Sequence, residues 1–211
     1  DINLEGINWT SIGTSANPFS GHFDGNYNTI YNLTVDGEDY VGLFGKMTNG
    51  SIKNVNIENV KLSGISYLGA IVGMGYTGTI SNCHVSGKVE IAGNYMVGGI
   101  NGHGYAKISE CSVIGTDKAL DYIKATHDGN KNEGDNVGGI VGHNGESNDI
   151  TNCTVENVTV SGTRKVGGIV GITNMSSDMT GCVVKNIVVE TSATVEYAEE
   201  NKKTMSIGGI V

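Results

Sequence analysis

One short motif returns six times along the chain. It reads Val41-Gly-Leu-Phe-Gly45, Leu68-Gly-Ala-Ile-Val-Gly73, Val97-Gly-Gly-Ile-Asn-Gly102, Val137-Gly-Gly-Ile-Val-Gly142, Val166-Gly-Gly-Ile-Val-Gly171 and Ile207-Gly-Gly-Ile-Val211. The steps between first residues are 27, 29, 40, 29 and 41. A second motif, Ile-x-Asn-(Leu/Val/Cys)-x-Val, alternates with the first. Its copies are Thr29 to Val35, Ser51 to Ile57, Thr79 to Val85, Lys107 to Val113, Asp149 to Val155 and Asp178 to Val184. A repeat this short cannot bury its own apolar face, so its copies must stack on one another.

Within each copy the apolar spacing is two, not 3.6, and β-branched residues dominate, which reads as strand. Ile80 and Cys83 break the alternation, and Asn82 between them supplies a residue that tolerates the left-handed bend such a break needs. Units of about 28 residues are too short for the four antiparallel strands of a propeller blade. The expected fold is all-β: a right-handed parallel β-helix of about six coils with three short strands per coil, stacked about 4.8 Å apart. The chain reads as a single domain over residues 1–211, with its last motif cut short at Val211 and a capping coil either missing or lying in another part of the protein.

Composition narrows the partners. Glycine fills 33 of 211 positions against a single proline, Pro18, which excludes collagen. The formal charge of -9 argues against nucleic acid or an anionic membrane surface. No apolar run reaches the roughly 18 residues of a membrane-spanning helix, so no membrane insertion is expected in this segment.

These motifs resemble the GLUG-repeat family, through Gly42-Leu43-Phe44-Gly45 and its later copies. The opening stretch, Trp9-Thr-Ser-Ile12-Gly13 followed by Pro18-Phe-Ser-Gly-His-Phe-Asp-Gly-Asn26, is similar to the family's first coil. The resemblance implies a secreted or surface-anchored bacterial protein, adhesin-like or immunoglobulin-A protease-like. In such proteins the repeats are usually non-catalytic neighbours of other domains.

The candidate chemistry is sparse. Cys83, Cys111, Cys153 and Cys182 fall at one phase of the repeat, which Leu33 and Val55 occupy in the first two copies; this predicts a column of buried thiols. Asn32, Asn54, Asn82 and Asn152 share another phase and should form a hydrogen-bonded ladder, interrupted by Glu110 and Gly181. Gly73 to Gly78 matches the dinucleotide pattern Gly-x-Gly-x-x-Gly, but it leads into a strand rather than a helix. His103 and His143 follow their glycine motifs at comparable positions and should lie near each other on the surface; these two and His22, His84 and His127 all read as turn residues. There is no His-Glu-x-x-His and no nucleophile elbow, so no catalytic residue, cofactor or metal site is expected.

The departures from regular spacing are more informative. From the cysteine phase to the next glycine motif the gap is 13 or 14 residues in three coils, but Cys111 to Val137 is 26 and Cys182 to Ile207 is 25. Two inserted loops, about 116–136 and 191–206, should therefore project from one corner of alternate coils. Leu120, Ile123 and Lys124 could form a helical turn in the first. Asp128, Asn130 and Asn132 echo a calcium loop, but Glu133 stands where glycine is required. Tyr122, His127 and Tyr197 are the expected ligand contacts.

The functional expectation is a non-catalytic extracellular β-helix segment of a bacterial cell-surface protein, acting as a binding module, adhesin or spacer. A host protein or glycan would be its partner. Two alternatives stand beside it. One is a carbohydrate-active β-helix enzyme, betrayed by two carboxylates about 5–9.5 Å apart in a groove. The other is the non-catalytic repeat region of an immunoglobulin-A protease-like metalloprotease.

Overall fold

The computed structural model describes residues 1–126, 135–145, 148–173 and 177–191 in full, and residues 206–208 as backbone. His127 and Tyr197 lie outside these residues, as do the calcium-like stretch from Asp128 to Asn132 and most of the segment 191–206.

Every strand pairing in the described chain is parallel, and each strand pairs with its counterpart one coil away. About six turns of a β-solenoid result. Its strands fall into a 14-stranded, a 6-stranded and a 5-stranded sheet. The sequence led us to expect three strands per coil; a complete coil has five. The coil that starts at Asn101–Gly104 continues through Lys107–Ser109, Ser112–Gly115, Tyr122–Ala125 and Asn136–Gly138. Lys107–Ser109, Ser112–Gly115 and Tyr122–Ala125, the three of these that lie in the 14-stranded sheet, form one ribbon creased twice, and in the coils before it they run on as Gly50–Ser63 and Gly78–Gly93.

Each crease is a left-handed residue. The first crease carries Asn54, Asn82, Glu110, Asn152 and Gly181, with φ of 56°, 51°, 55°, 54° and 65°. The second carries Asn32, Asn59, Asn157 and Asn186, with φ of 60°, 63°, 56° and 46°, and Gly87 at 79°. Asparagine accepts this region because its short polar side chain bonds locally.

This corrects the expected register. Leu33 pairs with Val60, and Ile30 with Ile57. Asn32 therefore belongs to the second crease and not with Asn54, Asn82 and Asn152. Nor is Leu33 in the cysteine phase, where Val55 pairs with Cys83. There are accordingly two ladders. In the first, Asn82 donates to Asn54 over 2.8 Å and Asn54 to Asp24 over 2.9 Å. In the second, Asn59 donates to Asn32 over 3.1 Å and Asn32 to Asn3 over 3.0 Å, and further along Asn186 donates to Asn157 over 2.6 Å.

The core is a set of in-register columns: Ile52, Ile80, Ile108 and Ile150; Leu62, Ile91, Ile123 and Val160; Leu68, Val97, Val137 and Val166, all buried. Buried aliphatic side chains of this size contribute about 1.5–3 kcal/mol each relative to exposure, so stacking supplies the stability that a lone coil lacks.

The first insertion is not one loop. Tyr122–Ala125 is a strand in full register with Glu90–Gly93, with Ile123 and Ala125 buried. The helical turn expected around Leu120, Ile123 and Lys124 is absent, because Ile123 fills a core column and Leu120 is left 63% exposed. The extra length is divided between two corners. Residues 116–121 replace Lys88 and Val89, and residues 126–136 replace Asn94, Tyr95 and Met96. Asp121 closes the first corner. Its buried carboxylate accepts from Val89 N at 2.8 Å, Thr116 N at 2.6 Å, Thr116 Oγ1 at 2.8 Å and Asp117 N at 2.8 Å.

Candidate functional site

The last glycine of each motif decides where the surface side chains go. A Cβ on Gly102 would stand 2.5 Å from Leu68 N and 2.6 Å from Gly73 O. One on Gly142 would stand 2.6 Å from Val97 N, and one on Gly73 2.6 Å from Tyr67 O. Contacts this short are forbidden to any side chain, so the motif requires glycine for space. The result is backbone laid directly on backbone, with the five-stranded sheet pressed against the six-stranded sheet of the preceding coil.

Two outward rows are thereby brought edge to edge. One row, on the six-stranded sheet, runs Tyr40, Tyr67, Met96, Asn136, Lys165. The other, on the five-stranded sheet, runs Lys46, Met74, His103, His143, Ile172. Tyr40 and Tyr67 stack with ring centroids 5.1 Å apart and planes 10° from parallel. Tyr67 meets His103 at 5.6 Å, and His103 meets His143 at 4.6 Å. At the next corner, Tyr105 lies 6.0 Å from His103 and 5.2 Å from Tyr76. Lys46 Nζ sits 5.6 Å over the Tyr40 ring. Six aromatic or imidazole rings from four coils thus form one continuous surface.

That surface is strained. Tyr40, Tyr67 and Met96 have φ of 60°, 61° and 52°. A bulky side chain in the left-handed region costs about 1–2 kcal/mol, and such strain concentrates at sites of function.

At its N-terminal end the row opens into a cleft of about 280 Å³. Tyr40 forms one wall, and Trp9, Ser11, Thr14, Asp36 and Asp39 line the rest. Trp9 is fixed there by its Nε1–H, which donates to Leu43 O over 3.1 Å. Asp36 accepts from Ser63 Oγ at 2.6 Å. The opening coil therefore supplies the tryptophan, and the first full coil supplies the carboxylates and tyrosine.

His103 and His143 are biased toward the neutral form. Burial lowers the affinity of His143 for a proton, and the neighbouring His103 and Lys165 lower it further, to a pKa of about 4. Burial also lowers the pKa of His103, opposed by the bond that its Nδ1–H donates to His143 O at 3.3 Å.

The other expected residues lie elsewhere. Tyr122 is half-buried on the outer face of the long sheet, beneath Lys124 Nζ at 4.3 Å, and it does not join the aromatic surface. Cys83, Cys111 and Cys153 are buried, Cys182 is half-buried, and all four are free thiols. Among the described residues, no three histidine, cysteine or carboxylate side chains converge as a metal site would require.

Sequence reasoning placed His103 beside His143, as the structure does, although on strands rather than turns, and it missed the tyrosines that extend the face. Tyr40, Tyr67, Tyr76 and Tyr105 sit at comparable offsets from successive glycine motifs, and that recurrence was the available signal. It lay one residue before or a few after the motif that drew attention, and the two rows become neighbours only through the glycine contact.

Residues 133–163 match the GLUG motif. The matched stretch includes Gly138 and Gly142, so the GLUG glycines are the ones that press sheet on sheet. Two relatives share part of the chain. Halomucin of Haloquadratum walsbyi is 40% identical over 87 residues, 40% of this chain and 1% of its own length. A protein named as a Gly-rich membrane protein from Evansella cellulosilytica is 36% identical over 86 residues, 38% of this chain and 10% of its own. The chain therefore spans a small part of the relatives it matches. A crystal structure from Bacteroides ovatus, described as an immunoglobulin A1 protease, superimposes over 100% of this chain and 74% of that one, with a TM-score of 0.67 and 22% identity. At that identity the likeness supports the β-solenoid fold alone.

Proposed function

We propose that this chain is a non-catalytic binding segment of a secreted or cell-surface β-solenoid protein, and that it binds through the aromatic face rather than through the insertions. One observation carries the reading: the continuous ring surface from the Trp9–Tyr40 cleft through Tyr67 to His103 and His143. Half-buried aromatics fixed on a rigid sheet offer contact area at low conformational cost, which is what a recognition surface needs. The GLUG match and the relatives, one of them named as a membrane protein, support the surface location.

A carbohydrate-active enzyme is the second reading, favoured by the presence of Asp36, Asp39 and Trp9 in one cleft. The bond from Ser63 to Asp36 counts against it, because it occupies a carboxylate oxygen that such chemistry would need free.

The test is a glycan and matrix-protein array probed with the wild-type chain, Trp9→Ala, Tyr67→Ala and Tyr122→Ala. The proposal expects a hit that weakens about tenfold or more with Trp9→Ala and Tyr67→Ala and is unchanged by Tyr122→Ala. Binding that depends on Tyr122 alone would move the site back to the insertion. Turnover of a bound glycan would make the protein an enzyme.

A further inference from the structure

We propose that Ser112 is an acyl-acceptor site, a serine activated by His84 that takes an acyl group from an activated ester or thioester. The site stands on the long sheet, apart from the aromatic face. It goes beyond the binding role proposed above and does not rest on it.

The argument starts from register. Asn56, His84, Ser112 and Thr154 occupy one row on four successive coils. Ser112 thus lies in the middle of the stack, with a coil on either side, and both it and His84 are part-buried. Its Oγ stands 2.9 Å from His84 Nδ1. The other ring nitrogen, Nε2, stands 2.9 Å from Asn82 Oδ1. Asn82 is the left-handed crease residue two positions before His84, so the bend aims the amide at the ring.

The amide ladder then fixes which atom carries each proton. Asp24 is held below the ordinary carboxylate range by bonds from Asn26 N and the Asn54 side chain, so it stays ionised and can only accept. Asn54 Nδ2 therefore donates to Asp24, which leaves Asn54 Oδ1 to accept from Asn82 Nδ2. Asn82 Oδ1 is left as an acceptor, so His84 carries its proton on Nε2. The lone pair falls on Nδ1, facing the Ser112 hydroxyl. Burial lowers the pKa of His84 and keeps that lone pair free at neutral pH. Asp24, Asn54 and Asn82 are positioning residues; Ser112 and His84 are the reacting pair. His22 and Ser51 make the same contact at 2.7 Å in an earlier coil. There, however, Ser20 stands where the orienting asparagine would be needed, and His22 is exposed.

Magnitude then selects the chemistry. A positioned general base is worth about 10²–10⁴ in rate. An oxyanion hole would add about 10²–10³ for each donor, but strand Ser112–Gly115 is paired on both sides and its N–H groups serve the ladders. A base without an oxyanion hole suits a donor that is already activated, and a single transfer rather than turnover. Ser112 Oγ bonds to the carbonyl carbon of the donor, and its proton passes to His84 Nδ1. The C–O or C–S bond of the donor breaks, and the proton leaves with the alcohol or thiol. No electron moves, and the product is an O-acyl serine.

The experiment treats the 211-residue chain at neutral pH with p-nitrophenyl acetate and, separately, with S-acetyl-N-acetylcysteamine. Peptide mass spectrometry maps the acetyl groups against time. Ser112 should be acetylated about 100-fold faster than Ser51 in the same molecule, a readout that needs no variant. His84→Asn should abolish that advantage, and the row accepts asparagine because Asn56 fills it in an earlier coil. Asn82→Gly uses a residue that Gly181 already supplies at this crease. It should slow Ser112 by at least about tenfold, through loss of the fixed tautomer. Nitrogen-15 spectra should show the His84 proton on Nε2 in the wild type and shared between both nitrogens in Asn82→Gly, a change that a merely structural asparagine would not cause. Comparable acetylation of Ser51 and Ser112, an unchanged rate in His84→Asn, or a wild-type proton on Nδ1 would overturn the assignment. Release of many p-nitrophenolates for each Ser112 would overturn the single transfer and make the site an esterase.

Discussion

Asn59 holds three strands at one point. Its side chain donates to Asn32 and its Oδ1 accepts from Lys88 N at 2.9 Å, while its own backbone is left-handed. Replacing it with alanine removes two hydrogen bonds of about 1 kcal/mol each and leaves a Cβ in a region that costs about 1 kcal/mol more. Asn59→Ala is expected to lose about 2–3 kcal/mol in urea denaturation, and Asn59→Gly about 1 kcal/mol less than that. Equal losses would remove the backbone contribution from the argument. The role of asparagine as a bend residue was legible in the sequence, but the pairing of asparagines was not. Ile52-Lys-Asn54-Val-Asn-Ile57 and Ile57-Glu-Asn59-Val-Lys-Leu62 spell the same motif twice in one coil, overlapping at Ile57. Ile30 to Val35 matches either one by eye, and only pairing with the next coil chooses.

Asp121 makes a second prediction at this scale. Burial works to raise its pKa, but hydrogen bonds from Asp117, Val89 and Thr116 outweigh burial and hold the carboxyl below the ordinary aspartate range. A depressed carboxylate contributes stability that is fully present above the unfolded pKa of about 3.9 and is lost as pH falls through the folded value. Asp121→Asn is expected to lower stability at neutral pH and to flatten the decline below about pH 4. An unchanged acid limb in the variant would show that other groups carry it.

At the scale of the element, the first insertion shows why periodicity outranks local helix spacing. Leu120, Ile123 and Lys124 fit a helical turn, yet Tyr122 to Ala125 also alternates outward and inward, and a core column awaits Ile123 between Ile91 and Val160. Filling that column gains more than one isolated helical turn can offer. The strand pair that carries the glycine motif imposes the opposite constraint, a demand for no side chain. Gly102→Ala would drive a methyl into Leu68 N, and backbone cannot yield as a side chain can. It is expected to destabilise the chain by about 3 kcal/mol or more and to separate Tyr67 from His103. Thermal unfolding together with loss of ligand binding reads both effects.

The histidine pair belongs to this scale too. His143 is held to a pKa of about 4. Because the folded value is depressed, its contribution is complete above the unfolded pKa of about 6.5 and erodes as pH falls toward the folded value. Proton-detected titration should show the His143 ring still neutral at pH 5.5. A ring that titrates near 6.5 would mean that the stacked rings do not exclude water from it.

Across the whole molecule, each coil touches only its neighbours, so stability is a sum over adjacent interfaces. Val184 and Val189 are only partly covered, whereas their counterparts Val155 and Val160 are fully buried. Hydrogen exchange should therefore be slowest through Gly78–Gly93 and fastest in Val183–Lys185 and Val188–Thr191. Uniform protection would instead mean that the stack opens as one unit. The coil count and parallel stacking were legible in the sequence because they depend on period. The site was not, because it is assembled from residues 27 to 40 positions apart whose proximity arises between coils.

The strand Tyr122–Ala125 keeps its register while the corner before it grows from two residues to six and the corner after it from three to eleven. The perimeter of a coil is thus enforced by its neighbours and not by its own length. A foreign peptide spliced into 118–120, between Asp121 and its partners Thr116 and Asp117 that shut the corner, would be carried on a rigid frame with both ends already anchored. The same frame could display a second guest a measured number of rungs away, which makes the solenoid a ruler for spacing epitopes or enzymes along one axis.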